Sequence, residues 1–257
     1  MIYRRAVAKL RAQDWFAIGV EFAIVVAGVF VGNWVNDWGQ KQAEKREATK
    51  LILQLRPQLE RLAAIEGGEK AYYRNTRRYA DVAFAGWAGT PRVEDRNFVI
   101  AAYQASQLAG LPFDGQSMSL ALGADEIRKV DDPRLRDAII QVISFNFESL
   151  RADNGQSDYR KHVREVIPDQ IQQAIRQSCG DQYGKDYLVL PAQCSIRFAP
   201  AITARAASAL RARPELAGQL AFHLAQTDAF LSNVDRLEIR VHALLALIDQ
   251  RSGRAAA

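Results

Sequence analysis

The chain has 257 residues, 49% hydrophobic and 25% charged, which excludes an intrinsically disordered protein and allows one sizeable core or two small domains. Its formal charge of +5 does not make it a nucleic-acid binder. Setting aside Arg4, Arg5, Lys9, Arg11, Asp14 and Glu21, in and before the first apolar run, leaves 30 basic and 27 acidic residues, interleaved as in Glu44-Lys45-Arg46-Glu47, with no basic stripe.

Residues 1–14 read as a basic cytoplasmic tail, and residues 15–34, WFAIGVEFAIVVAGVFVGNW, as a transmembrane helix. About 20 helical residues cover about 30 Å, the thickness of a hydrocarbon core. Trp15 and Phe16 stand at one end and Trp34 and Trp38 at the other, where amphipathic rings favour the headgroup level. A cleaved signal peptide would have a shorter apolar core and a small-x-small cleavage site. A buried core helix would rarely be flanked by Arg4, Arg5, Lys9 and Arg11 and then by a tryptophan belt. At 100° per residue, Glu21, Val25, Gly28 and Gly32 fall on one stripe, and Gly28 and Gly32 form a GxxxG pattern that lets helices approach closely. A carboxyl inside a span is costly unless it meets a partner, so this stripe is the candidate helix–helix contact. The competing reading is a chance GxxxG with Glu21 reaching toward the headgroups.

Beyond the anchor, residues 35–250 predict a helical domain, and 251–257 a flexible tail. Leu51, Leu55, Leu59 and Leu62 recur at helical spacing, so the anchor continues outward as a long helix. Pro57 predicts a kink or a break in it, and Gly67-Gly68 an interruption before Tyr72 to Trp87. The aromatics Tyr72, Tyr73, Tyr79, Phe84 and Trp87 read as core packing. Thr90-Pro91 predicts the start of a helix through Leu108, stopped by Gly110 and Pro112, and the stretch to Val130 is irregular. Asp132-Pro133 is a strong helix start, followed by the face Leu135, Ile139, Val142 and Ile143. One helix over 156–178, bent at Pro168, comes next, and Tyr187 to Leu190 is a lone short strand.

Cys179 and Cys194 are separated by fourteen residues. In an oxidising compartment they close a loop, with about 3 kcal/mol of stabilisation in the chain-entropy view, and the competing reading is two unrelated buried thiols. The flanking charges of the anchor nearly balance, so the cysteine pair decides the orientation: N-terminus cytoplasmic, main domain periplasmic. The last segment carries the clearest pattern. Leu220, His223, Thr227, Phe230, Val234, Leu237, Val241, Leu244 and Ile248 alternate by three and four residues, with Pro214 placed as a first-turn proline. A helix of about 35 residues, about 50 Å long, would lie along the helix leaving the membrane. The fold class is all-α: a transmembrane helix continuing into an elongated bundle.

No catalytic constellation rises above background. His162, His223 and His242 lack metal-ligand spacing, and His223 reads as a satisfied polar residue on the heptad seam. Gly115-Gln-Ser117 lacks the closing glycine of a nucleophile elbow, so Ser117 reads as a helix cap. Asp181, Gly184 and Asp186 are too few for a calcium loop. No cofactor or metal is expected.

The run from Asp14 to Trp34, DWFAIGVEFAIVVAGVFVGNW, resembles the N-terminus of a widespread family of bacterial single-pass membrane proteins without assigned activity, and Tyr103 to Leu135, ending in Asp132-Pro133, resembles their middle section more loosely. The resemblance implies an inner-membrane protein with a helical domain outside, and it carries no activity or site residues with it. The expected function is a non-enzymatic accessory subunit, its partners the lipid bilayer and either itself or another membrane protein through the anchor. The alternative is a ligand-sensing bundle, which would need a partner to signal, since about fourteen residues before the anchor cannot hold an output domain. An envelope hydrolase is the least supported reading.

Overall fold

The computed structural model describes residues 15–89, 92–111, 124–151 and 157–255. Its backbone is dominated by two long helices. The first, α1, runs without interruption from Trp15 to Ala88, 74 residues or about 110 Å. The last, which becomes α8 in chain order, runs from Glu215 to Ala255, past the point where a flexible tail was expected to begin. Between them lie α2 (Asp95–Gln104), α3 (Ala124–Arg128), α4 (Pro133–Ile143), a 3-10 turn (Phe147–Leu150), α5 (Asp158–Val166), α6 (Asp169–Cys179), β1 (Gln182–Tyr183), β2 (Leu188–Val189) and α7 (Pro200–Arg211). The all-α class therefore holds, with one two-residue hairpin inside it.

The pairing of α1 with α8 follows from two seams. On α1 the positions 48, 52, 55, 59, 62, 66, 69, 73, 76, 80 and 83 are all buried, in strict alternation of four and three. On α8 the expected seam is found, with Leu220, His223, Val234, Leu237, Val241 and Ile248 buried and Phe230 half-buried. This alternation keeps the buried positions on one face of each helix, and the two helices pack on each other. The antiparallel register is marked by Arg56 with Asp249, Lys70 with Asp235 and Glu238, and Arg77 with Asp228.

Neither Pro57 nor the glycine pair breaks α1, and each has its own reason. Pro57 is exposed, as is Leu53, whose carbonyl loses its donor. On this exposed face a carbonyl without its helical donor is open to solvation, so the lost bond costs less than it would inside the core. Gly67 is exposed with open space around it, whereas a Cβ on Gly68 would lie 2.3 Å from the Tyr187 ring. Gly68 is thus a docking notch for the cysteine loop, and the helix runs through it. The helix ends at Gly89, which adopts φ +72° and donates to the Ala85 carbonyl, a left-handed C-terminal cap.

The shorter helices follow their caps. Asp132 accepts from the amides of Arg134 and Leu135 with Pro133 in the first turn, as the sequence predicts. The helix expected over 156–178 is two helices: Ser157 caps α5, and Pro168 starts α6 rather than bending one helix. The Gln172 amide spans the corner, donating to the carbonyls of Arg164 and Ile167. α2 is shorter than expected, and Thr90, Pro91 and Pro112 lie outside the described residues. The strand expected at Tyr187–Leu190 pairs antiparallel with Gln182–Tyr183.

The apolar interior divides in two. One cluster packs Ala48 to Leu62 of α1 against α3, α4 and Val234 to Ile248 of α8, and the other packs Tyr72 to Ala83 against α2, α5, α6, α7 and Leu216 to Leu224. Phe230 touches both. Residues 19–35 of α1 touch neither and are almost wholly exposed, Phe22 at 71% and Phe30 at 73%.

The two glycines separate packing from propensity. Gly67→Ala should stabilise the fold by about 0.5–1 kcal/mol, because an exposed helical glycine gains from a Cβ. Gly68→Ala should destabilise it by about 1–3 kcal/mol through the clash with Tyr187. Thermal unfolding of both variants checks this, and a Gly68→Ala protein as stable as the parent would contradict the docking role.

Candidate functional site

Between the two apolar clusters lies a buried polar layer. Glu66 and Glu69 occupy consecutive seam positions of α1, both at 0% exposure, and none of their four carboxyl oxygens has a hydrogen-bond partner. Next to them Lys70 is committed to Asp235 and Glu238 of α8. Burial, with Glu238 nearby, pushes the Glu66 carboxyl up to about 8 in spite of Lys70. Burial, with Asp181 nearby, pushes Glu69 up to about 7.

The cysteine loop is a strap over this layer. Cys179 and Cys194 stand at disulfide distance, Cα to Cα 5.5 Å, and the hairpin lies between them. The strap is fixed to α1 along one face. Arg61 donates to Asp186 at 2.7 Å, Tyr72 Oη donates to Asp181 at 2.7 Å, Asn75 to the Leu190 carbonyl at 2.8 Å, and Tyr79 Oη to the Pro191 carbonyl at 2.8 Å. Spacing of 61, 68, 72, 75 and 79 puts these contacts on one stripe of the helix. The loop is thus tied to α1; both of its aspartates are taken up by these contacts, and among the described residues no group of three or more His, Cys, Asp or Glu could hold a metal ion.

Behind Asp181, two arginines enter from α5. Arg160 donates to the Ser106 carbonyl, and Arg164 donates to Gln107 Oε1 at 2.8 Å while lying 4.8 Å over the Tyr103 ring. Further along, Tyr159 is fully buried and donates to the Ala102 carbonyl at 2.7 Å. His223 is fully buried on the α8 seam, its Nδ1 2.9 Å from Ser157 Oγ, and a hydrogen bond with the Ala105 backbone works against the effect of its burial. Burial, with Arg160 adding to it, lowers His223 to about 4, so the ring is neutral near pH 7. His162 pairs with Gln219 at the surface.

The aromatic stretch is core, as read: Tyr72, Tyr73 and Tyr79 are buried, and Phe84 and Trp87 pack against the same cluster. A cavity of about 230 Å³ lies beside it, lined by Tyr73, Ala109, Gln226, Thr227 and Phe230. It falls below the roughly 300 Å³ at which drug-sized ligand sites begin.

The residues of the expected anchor stand apart from all of this. Glu21, Val25, Trp34 and Trp38 are exposed, and a Cβ on Gly28 or Gly32 would meet nothing within 4 Å. The stripe thus lies along one face of α1 without touching the rest of the described residues. The side chains of Trp15 and Phe16, the tail 1–14 and Ser117 lie outside the described residues. This helix is long and apolar enough to cross a membrane.

Sequence reasoning missed Glu66, Glu69 and the Tyr72–Asp181 contact. The signal was present: the four-three alternation from Ala48 runs straight through both acids. No family model, curated protein or solved structure matches the chain.

The depressed His223 sets an acid limit. A group held near 4 in the fold and near 6.5 when unfolded contributes stability that is complete above pH 6.5 and lost as pH falls toward 4. A His223→Gln variant should lose less stability than the parent between pH 6.5 and 4 in denaturant unfolding. Equal losses would remove His223 as the cause.

Proposed function

We propose that the protein is a membrane-anchored, non-enzymatic interaction subunit that carries a rigid helical body on a stalk. The observation that carries this reading is the continuity of α1, one helix from the exposed apolar run 19–35 into the buried seam that begins at Ala48. Residues 35–47, largely exposed and polar, would act as a spacer of about 20 Å between bilayer and body. A continuous helix transmits position and rotation from the membrane to the body, as an accessory subunit requires.

In this reading the anchor spans the inner membrane with the N-terminus in the cytoplasm and the body in the periplasm. The cysteine pair supports that side, since disulfides persist in oxidising compartments. The resemblance of residues 14–34 to bacterial single-pass proteins points the same way. Association, with itself or another membrane protein, runs through the Glu21, Val25, Gly28 and Gly32 stripe, where small residues allow close approach and a carboxyl can find a donor.

Two measurements test this. After an alkaline carbonate wash of membranes, the full chain should pellet and a chain starting at Asn36 should not. In mild detergent, chemical cross-linking of the full chain should give a discrete higher-mass species that Gly28→Leu weakens. A strictly monomeric, partner-free protein would refute the interaction role.

A further inference from the structure

The two unpartnered carboxyls sit where three parts of the molecule meet: the middle of α1, the Asp235–Glu238 turn of α8, and the strap. We propose that Glu66 and Glu69 form a proton-operated latch, in which protonation of both acids seats α8 and the strap on α1 and their ionisation loosens both. The inference is independent of the membrane anchor and of any partner.

The argument is one of place and charge. Both side chains are completely buried, so an ionised form has neither water nor a hydrogen-bond donor. Buried ionised groups without partners are strongly disfavoured, whereas a neutral carboxyl is far less costly in the same place. The charged groups around them do not offer compensation. From α8 come Asp235 and Glu238, both already holding Lys70, the cation of α1 at this level. From the strap comes Asp181, which accepts from Tyr72 and feels Arg160 and Arg164 of α5. Tyr73, one turn from Glu69, donates to the Ala109 carbonyl and offers Glu69 nothing. Two added negative charges would face three acids and one shared lysine. Separation of α8 and the strap from α1, admitting water, is the route of relief.

The position amplifies the effect. Both acids are buried positions of the α1 seam, with Glu66 close enough to feel Glu238 of α8 and Glu69 close enough to feel Asp181 of the strap. Among the described residues Phe230 packs against both apolar clusters, and the polar layer lies between them. The direction follows from linkage. Both carboxyls are raised in the fold, to about 8 and about 7, so the stability they contribute is present below the ordinary value of 4.5 and is lost as pH rises toward 8. This is opposite in sign to His223; the two effects overlap between 4.5 and 6.5, and above about 6.5 only the carboxyls act.

Amide hydrogen exchange on the full chain in detergent micelles, at pH 6.0 and 8.5 with intrinsic rates corrected, tests the latch. Peptides covering 230–241 and 182–190 should lose protection by about tenfold or more at pH 8.5, the change expected from one unit of pKa shift. The Glu66→Gln/Glu69→Gln protein should show no such difference, and the exposed Glu60→Gln protein should behave as the parent. Equal protection at both pH values, or an unchanged pH response in the double variant, would overturn the proposal. The unmodified protein provides a second measurement that needs no variant. Its infrared spectrum should show a buried protonated-carboxyl band at pH 6 that disappears by pH 9, and absence of that band at pH 6 would equally overturn it.

Discussion

The fold depends on the antiparallel seam between α1 and α8. Both helices repeat buried residues by four and three, and the other helices fill the spaces on either side of that contact. Each fully buried leucine or isoleucine on the seam contributes about 1.5–3 kcal/mol. The ion pairs along its edge, such as Arg77 with Asp228, are half-exposed and contribute at most about 1 kcal/mol, so they mark the register more than they hold it. Because α1 is one helix, whatever fixes the seam also fixes the direction in which the apolar run 19–35 leaves the body.

The polar layer is the exception within that seam. Five of the buried polar residues, Glu66, Glu69, Thr76, His223 and Thr227, stand at seam positions that an apolar residue would fill at lower cost. Polar residues at such positions are known to set register and alignment at the expense of stability. Here Glu66, Glu69 and Thr227 fall between the two apolar clusters, and the strap crosses α1 at the level of the two acids. The strap makes four side-chain contacts to a single stripe of α1 and closes at Cys179 and Cys194, so a loop of local sequence covers α1 from Arg61 to Tyr79, about five turns, Gly68 among them.

Much of this was legible in the sequence, for identifiable reasons. The α8 seam is apolar at nearly every position, so its period stands out, and Asp132-Pro133 carries its own local capping chemistry. The α1 seam was legible only as far as Leu62, because its next two members are acids, which a binary reading assigns to the surface. Gly67-Gly68 reads as a break for the same reason: the partner that makes Gly68 useful, Tyr187, lies more than a hundred residues away. The pairing of Gln182–Tyr183 with Leu188–Val189 was likewise invisible, since two-residue strands carry no alternation. Pro168 was recognised, but whether it bends or divides a helix is decided by the Gln172 amide across the corner.

The central claim is that α1 is a single rigid helix from the apolar run through Pro57 and Gly67-Gly68. The most direct test is a spin-label distance between Lys50→Cys and Asp81→Cys, both exposed sites on that helix. An unbroken helix places them about 47 Å apart in one narrow distribution. A distance shorter by 10 Å or more, or a broad distribution, would mean that the helix breaks at the proline or the glycines and would contradict the account.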